Sequence, residues 1–222
     1  MLEAEVILRE VGDTPCEAGA ALTAAGVAHQ LGLLDEGRTD LIRAAGIETI
    51  VANTHHMHDR IAPHLVSQGV SVSHEHDKIL DTGGGLRKAL PLLGKGPVLT
   101  INPDALWLGP NPIRSLLDAW NPHMRALLML VPMDKVHGSN GNGDFSLEHG
   151  DIRRSGPFRY GGAQIIWPDH LDRIKCDVFS LNAYWDLLAD QGQLKGAIYD
   201  GDWCDIGTPK GLEIAEAMLS DV

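Results

Sequence analysis

The sequence predicts an α/β fold, an open, mostly parallel but mixed sheet with helices on both faces. Three observations carry this expectation. β-Branched runs alternate with helix-periodic runs along most of the chain. Pro97-Val98-Leu99-Thr100-Ile101-Asn102 and Arg125 to Val131 are nearly continuous apolar stretches, as strands buried on both faces require. The connections between these elements are short and punctuated by Gly, Pro and Asn.

In chain order, Ala4 to Leu8 reads as a short strand, Asp13-Thr14-Pro15 as a turn, and Ala18 to Leu34 as an Ala- and Leu-rich helix. Asp40 to Ala45 closes a helix that Gly46 stops. Ile47 to Asn53 is a strand, and His55 to Gln68 a helix with Met57, Ile61, His64 and Leu65 on one stripe. Gly69 to Ser73 is a second strand of this unit, leading into His74-Glu75-His76-Asp77. After strand 97–102 come a helix over Pro112 to Trp120, strand 125–131 and a flexible loop from Gly138 to Gly143. Phe145 to Leu147 and Asp151 to Arg153 form an antiparallel hairpin turning at His149-Gly150. Gly161 to Trp167 is a strand, Leu181 to Ala189 a helix, and a last helix runs to about Leu219. Crossovers between parallel strands are expected to be right-handed.

The 222 residues, 44% of them hydrophobic and 22% charged, suit one globular domain spanning 1–222, with a core that needs no disulfide or structural metal. Three widely spaced cysteines without a Cys-x-x-Cys pair read as reduced thiols. No apolar run approaches the roughly 20 residues of a membrane span, and the acidic start Met1-Leu2-Glu3-Ala4-Glu5 is unlike a signal peptide, so no membrane partner and a cytoplasmic location are expected. A net charge of −12 excludes a duplex nucleic-acid binder. A nucleotide substrate stays open, because a divalent cation can supply the missing positive charge.

The chemistry centres on Leu80-Asp81-Thr82-Gly83-Gly84-Gly85-Leu86. Leu86, Ala89, Leu90 and Leu93 follow at helical spacing, so the glycines read as a loop leading into a helix. Bare amides at a helix N-terminus suit a phosphate or the polar edge of a base, and a plain surface turn is the alternative. Ligands in open α/β sheets gather beyond the carboxyl ends of the strands. Asp104 stands there, in Asn102-Pro103-Asp104, and Asp205 opens the turn Asp205-Ile206-Gly207-Thr208-Pro209. Each alone reads more readily as a turn or helix cap. As a pair they are the hard oxygen ligands that Mg²⁺ requires. The histidines of His55-His56-Met57-His58 diverge around a helix, so one or two at most share a site, and His74 and His76 read as exposed.

Four stretches in order, Asp81 to Pro91, Leu99 to Asp104, Gly143-Asp144-Phe145 and Trp203 to Pro209, resemble the sugar-1-phosphate nucleotidyltransferases, most nearly the N-acetylmuramate-1-phosphate uridylyltransferases, with mannose-1-phosphate guanylyltransferases close by. The resemblance runs from about Asp40 to the C-terminus. It implies a Rossmann-like sheet of the nucleotide-diphospho-sugar transferase type and a reaction joining a nucleoside triphosphate to a sugar 1-phosphate, with release of pyrophosphate. It further implies catalysis and metal binding by Asp104 and Asp205, with Mg²⁺ as cofactor, and nucleotide contacts from Asn53, Thr82, Gly83 and Gly84. Glu75, Gly143 and Gly162 fall on substrate-side positions. The expected assembly is a monomer or small homo-oligomer.

The chain departs from the family at two places. Pro103 stands where the family has glycine before its aspartate. The family also opens with Leu-Ala-Ala-Gly-x-Gly-[Thr/Ser]-Arg-Met and Pro-Lys-Pro, which wrap the triphosphate. Here Leu22-Thr23-Ala24-Ala25-Gly26 is similar to the start of that loop, but Val27-Ala28-His29-Gln30 follows, and no lysine precedes Lys78. Residues 1–37 are therefore atypical, through an unusual sequence, a segment the native gene does not encode, or loss of activity. A homologue that binds nucleotide or nucleotide-sugar without turnover is the alternative to an active transferase. A dinucleotide-dependent oxidoreductase is disfavoured, since no Gly-x-Gly-x-x-Gly follows the first strand.

Overall fold

The alternation read from the sequence is realised in a computed structural model that describes residues 6–9, 42–43 and 45–220. Its elements are β1 (Val6–Arg9), β2 (Thr49–Thr54), α1 (His58–Ser67), β3 (Ser71–His74), α2 (Asp81–Leu93), β4 (Val98–Ile101), β5 (Ala105–Leu108), α3 (Pro112–Ala119) and β6 (Ala126–Pro132). There follow β7 (Val136–His137), β8 (Phe145–Glu148), β9 (Asp151–Arg154), β10 (Phe158–Ile166), α4 (Leu181–Ala189), β11 (Leu194–Ile198), β12 (Asp202–Asp205) and α5 (Pro209–Ser220). The turn expected at 13–15 and the helix expected at 18–34 lie outside the described residues. No helix among the described residues is long and apolar enough to cross a membrane.

The main sheet has nine strands in the order β3-β2-β1-β4-β10-β6-β11-β9-β8. Strands β2, β3, β4, β6, β8 and β11 share one direction, and β1, β9 and β10 run against them. The expected mixed, mostly one-way sheet is present, with an added feature. Because β1, β9 and β10 slot between majority strands, most neighbouring pairs are antiparallel. β1 pairs through its backbone with Ala52 on one side and Ile101 on the other at Val6.

Side-chain alternation divides the core into two layers. Ile50 and Ala52 of β2, Leu99 of β4 and Leu127, Met129 and Val131 of β6 face α1 and α3, meeting Ile61, Leu65, Ile113 and Leu116. Val51, Val98, Ala126, Leu128 and Leu130 face α2 and α4, meeting Leu86, Ala89, Leu93, Tyr184 and Leu188. Both faces are thus covered, which is why β6 reads as an unbroken apolar run. Burying one such side chain contributes roughly 1.5–3 kcal/mol. Local signals set the helix starts: Asn111 accepts from the amides of Ile113 and Arg114 ahead of Pro112, and Ser180 accepts from Asn182 N.

The glycine triplet departs from expectation. Gly83, Gly84 and Gly85 are buried within the first turns of α2 rather than forming a lead-in loop. Glycine costs a helix about 1 kcal/mol per residue relative to alanine, so tertiary packing must decide the outcome here. A Cβ on Gly83 would overlap the Phe179 ring, one on Gly84 the Asp177 carbonyl, and one on Gly85 the Asn53 amide. The helix seats this closely only without side chains. The expected bare amides are also engaged: Gly83 N and Gly84 N donate to Phe179 O at 2.9 and 3.1 Å.

A second, three-stranded sheet in the order β5-β12-β7 has no counterpart in the sequence reading, and β11 is likewise unanticipated. These strands are short and carry Asp, Gly and Lys, so pairing rather than propensity makes them. Gly84→Ala is expected to destabilise the fold by on the order of 1–3 kcal/mol, because the overlapping atom belongs to the backbone and cannot rotate away. A lowered Tm in thermal unfolding followed by circular dichroism checks this.

Candidate active site

Strand β12 lies antiparallel to β5 with Asp205 opposite Ala105, and Ile206 N donates to Asp104 O at 2.9 Å. That pairing brings together two carboxylates from distant parts of the chain. A Cβ on Gly207 would stand 3.2 Å from both Asp104 Oδ2 and Asp205 Oδ1, so both side chains converge on the bare Cα of Gly207. Asp205 Oδ1 accepts from Gly207 N at 2.9 Å, which fixes its rotamer. The cap of α5 comes instead from Thr208, whose Oγ1 accepts from Gly211 N at 3.0 Å. Asp205 is therefore not spent as that helix cap.

A cavity of about 270 Å³ is lined among others by Thr82, Asn102, Asp144, Tyr160, Asn182 and Trp185. Asn102 connects the two places: it borders the cavity, begins Asn102-Pro103-Asp104, and its side chain underlies Gly162. Gly162 has φ +86°, and its Cβ would crowd Asn102 Cβ at 2.8 Å, so this position accepts only glycine readily. Between Tyr160 and Gln164 the register of β10 against β6 shifts, a bulge of the kind that re-aims side chains beside a site. The cavity floor is tied down from below. Trp185 Nε1 donates to Gln164 Oε1 at 2.8 Å, and Gln164 Nε2 donates to Thr100 Oγ1 at 3.1 Å. Tyr160 meets the Trp185 ring edge-on at 4.8 Å.

The other residues singled out by sequence divide into two groups. Thr82 lines the cavity, as does Asp144 beside Gly143. Thr82 Oγ1 also accepts from Leu181 N at 2.8 Å, joining the starts of α2 and α4. Asn53 and Glu75 do not line the cavity; they are buried beneath α2, on the side of Gly85. Glu75 Oε2 accepts from Leu80 N at 2.7 Å and so holds the segment before the helix. Neither polar atom of the Asn53 side chain has a hydrogen-bond partner among the described residues.

The histidines form a pair the sequence did not announce. His58 and His74 stack with ring centroids 3.5 Å apart and planes within 3°, His58 Nδ1 lies 2.8 Å from Thr54 Oγ1, and Lys88 Nζ donates to His74 O. This clamps the start of α1 to the end of β3. Burial, then the neighbouring His58, His76 and Lys88, hold the His74 pKa below its ordinary 6.5. Among the described residues, no group of three or more His, Cys, Asp or Glu side chains is arranged to hold a metal ion. The Asp104–Asp205 pair fits the alternative arrangement, in which Mg²⁺ takes one or two carboxylates and fills its remaining positions with water and phosphate oxygens. The free thiols Cys176 and Cys204 are exposed and buried respectively, and burial followed by the Asp205 charge raises the Cys204 pKa.

The doubly covered mixed sheet with this cleft is the nucleotide-diphospho-sugar transferase fold. It superposes on the inositol-1-phosphate CTP transferase of T. maritima with a TM-score of 0.70 at 14% identity, over 92% of this chain and 96% of that one. No protein-family profile matches the sequence. Among curated proteins, the N-acetylmuramate alpha-1-phosphate uridylyltransferase of Caulobacter vibrioides is 31% identical over 198 residues, covering 82% of each chain. Its namesake in Neisseria meningitidis is 28% identical over 189 residues, covering 80% of each. The chain belongs to the sugar-1-phosphate nucleotidyltransferase family.

Because the folded protein disfavours a proton on His74, it binds fewer protons there than the unfolded chain. Stability from this site is present above pH 6.5 and is lost as the pH falls below it. The urea midpoint is expected to drop between about pH 7.5 and 5.5, and to drop less in His74→Gln.

Proposed function

We propose that this chain joins a uridine or related nucleoside triphosphate to a sugar 1-phosphate of the N-acetylmuramate class, giving a nucleotide-sugar and pyrophosphate. The observation that carries the reading is the convergence of Asp104 and Asp205 on the bare Cα of Gly207, Asp104 standing two residues along the chain from Asn102, which lines a cavity walled by aromatic and amide side chains. The names of the two curated relatives point to the same substrates.

In this reaction a phosphate oxygen of the sugar phosphate attacks the α-phosphorus of the triphosphate. The bond to the β-phosphate breaks and pyrophosphate leaves in line. The protein's contribution is position and electrostatics rather than covalent chemistry. Asp104 and Asp205 would hold Mg²⁺, which when bound offsets phosphate charge. The cavity holds the sugar, with Gly143 and Gly162 shaping its surroundings by letting Gly156 and Asn102 pack closely against them. Thr82, Gly83 and Gly84 form the base-side wall. With the amides of Gly83 and Gly84 engaged by Phe179 O and their bare faces packed on Phe179 and Asp177, these glycines act by seating α2, and Asn53 and Glu75 act through support of the same helix.

The missing basic loop in residues 1–37 favours a second reading, binding without turnover. One assay separates the two. Pyrophosphate release is measured with UTP and N-acetylmuramate 1-phosphate, then across other triphosphates and sugar phosphates, in the presence of Mg²⁺. The transferase reading expects release that falls on the order of 10²–10³-fold or more in Asp104→Ala and Asp205→Ala. Nucleotide-sugar binding with no release from any pair overturns it in favour of the second.

A further inference from the structure

The histidines between residues 55 and 76 take no part in the proposed transfer, yet two of them stand in a set relation to each other. Ser73 and Glu75 are buried, and Glu75 N still donates to Thr54 O at 2.7 Å, so the strand alternation of β3 continues past its last residue. His74 and His76 therefore project to the same outer face. Their ring centroids lie 5.4 Å apart, edge to face at 69°. Two imidazoles on one tetrahedral ion, with a Zn–N bond of about 2.0 Å, place their ring centres roughly 5 Å apart. The two rings thus stand close to the spacing of a shared ion, with no shift of the backbone. His58 and His74 differ in this respect. Their planes are parallel within 3°, so their in-plane lone pairs do not converge on one point.

Both rings are held in the manner of ligands. The stack on His58, whose Nδ1 is 2.8 Å from Thr54 Oγ1, uses the face of His74 and leaves the ring edge that carries its nitrogens. His76 Nδ1 lies 3.0 Å from Asp77 Oδ1. A carboxylate only accepts, so Nδ1 carries the proton of that contact and Nε2 of the neutral ring keeps its lone pair. A carboxylate behind an imidazole is the outer contact that orients a metal-bound histidine. Asp59 and Asp77 bring negative charge to this edge of the sheet, against Lys78 and Lys88. With no third His, Cys, Asp or Glu joining them among the described residues, the two nitrogens make an open site whose other positions fall to water. Imidazole nitrogens suit Zn²⁺, Cu²⁺ and Ni²⁺, whereas carboxylates suit Mg²⁺. The site is therefore chemically distinct from the pair at Gly207.

We propose that His74 and His76 form a two-nitrogen surface site for a divalent transition-metal ion, separate from the carboxylates at Gly207. The probe is Zn²⁺, titrated calorimetrically into the full chain at neutral pH with Mg²⁺ in excess to occupy oxygen sites. The wild type is expected to take up Zn²⁺ saturably at this place, and His76→Gln and His74→Gln each to weaken that uptake by about tenfold or more. The His76 side chain is 80% exposed, so its replacement covers the case in which loss of the His58 stack disturbs folding in His74→Gln. His56→Gln, at an exposed position outside the pair, should leave uptake unchanged. Because the ion binds the folded chain, Zn²⁺ should also raise the wild-type Tm, and His76→Gln should lose that rise while keeping the metal-free Tm. A spectroscopic signature is Cu²⁺ paramagnetic resonance, with nitrogen coupling from two imidazoles in the wild type and one in His76→Gln. Zn²⁺ uptake of equal affinity in the wild type and both variants belongs to other histidines and overturns the proposal. So does a loss in only one of the two variants when both keep their fold, or a wild type with no saturable uptake.

Discussion

The pairing of β5 with β12 is the constraint on which the site depends. Two short strands, distant in sequence, lie antiparallel with Asp205 opposite Ala105, and Ile206 N reaches the Asp104 carbonyl. Without that ladder two like charges would have no reason to approach. With it, both carboxylates converge at Gly207, where a side chain would intrude. Holding two anions together carries a cost, which a divalent ion with its phosphate ligands would relieve under the proposed function.

A second constraint comes from the other side of the cleft. Helix α2 seats against residues 177–179 and over Asn53 because three successive positions lack Cβ atoms. The contact closes the amide ends of the helix onto Phe179 O and lets Thr82 cap α4. The starts of α2 and α4 are joined by hydrogen bonds, and the cavity wall is built on their junction. The stacked His58 and His74 clamp the neighbouring edge in a similar way, by contact between their rings.

The two departures from the family pattern bear on different links of the chain of argument. Pro103 replaces a glycine before Asp104, yet the carboxylate still meets Asp205, because β-pairing on the far side of Asp104 sets its place. The missing basic loop is a matter of chemistry rather than fold. Under the proposed function, a chain of net charge −12 would need positive charge against a triphosphate, and a cation held by Asp104 and Asp205 would supply it.

By itself the sequence determined the two-layer architecture. Apolar runs such as Ala126 to Val131 can only be buried on both faces, and the hairpin at His149-Gly150 and the helices capped by Asn111 and Ser180 follow from local signals. Its motif spacing also marked Asp104 and Asp205 as a pair, though not how they meet. Tertiary structure alone decided that the glycine triplet is helix, because the surfaces that forbid a side chain come from residues 53 and 177–179. It alone decided β5, β7, β11 and β12, whose propensities are weak and whose pairing is non-local. The same holds for the ion pair of Arg159 and Asp144: a charge on one strand and a carboxylate after a loop have no visible relation in one dimension. Backbone register sets their distance, and register belongs to the folded sheet.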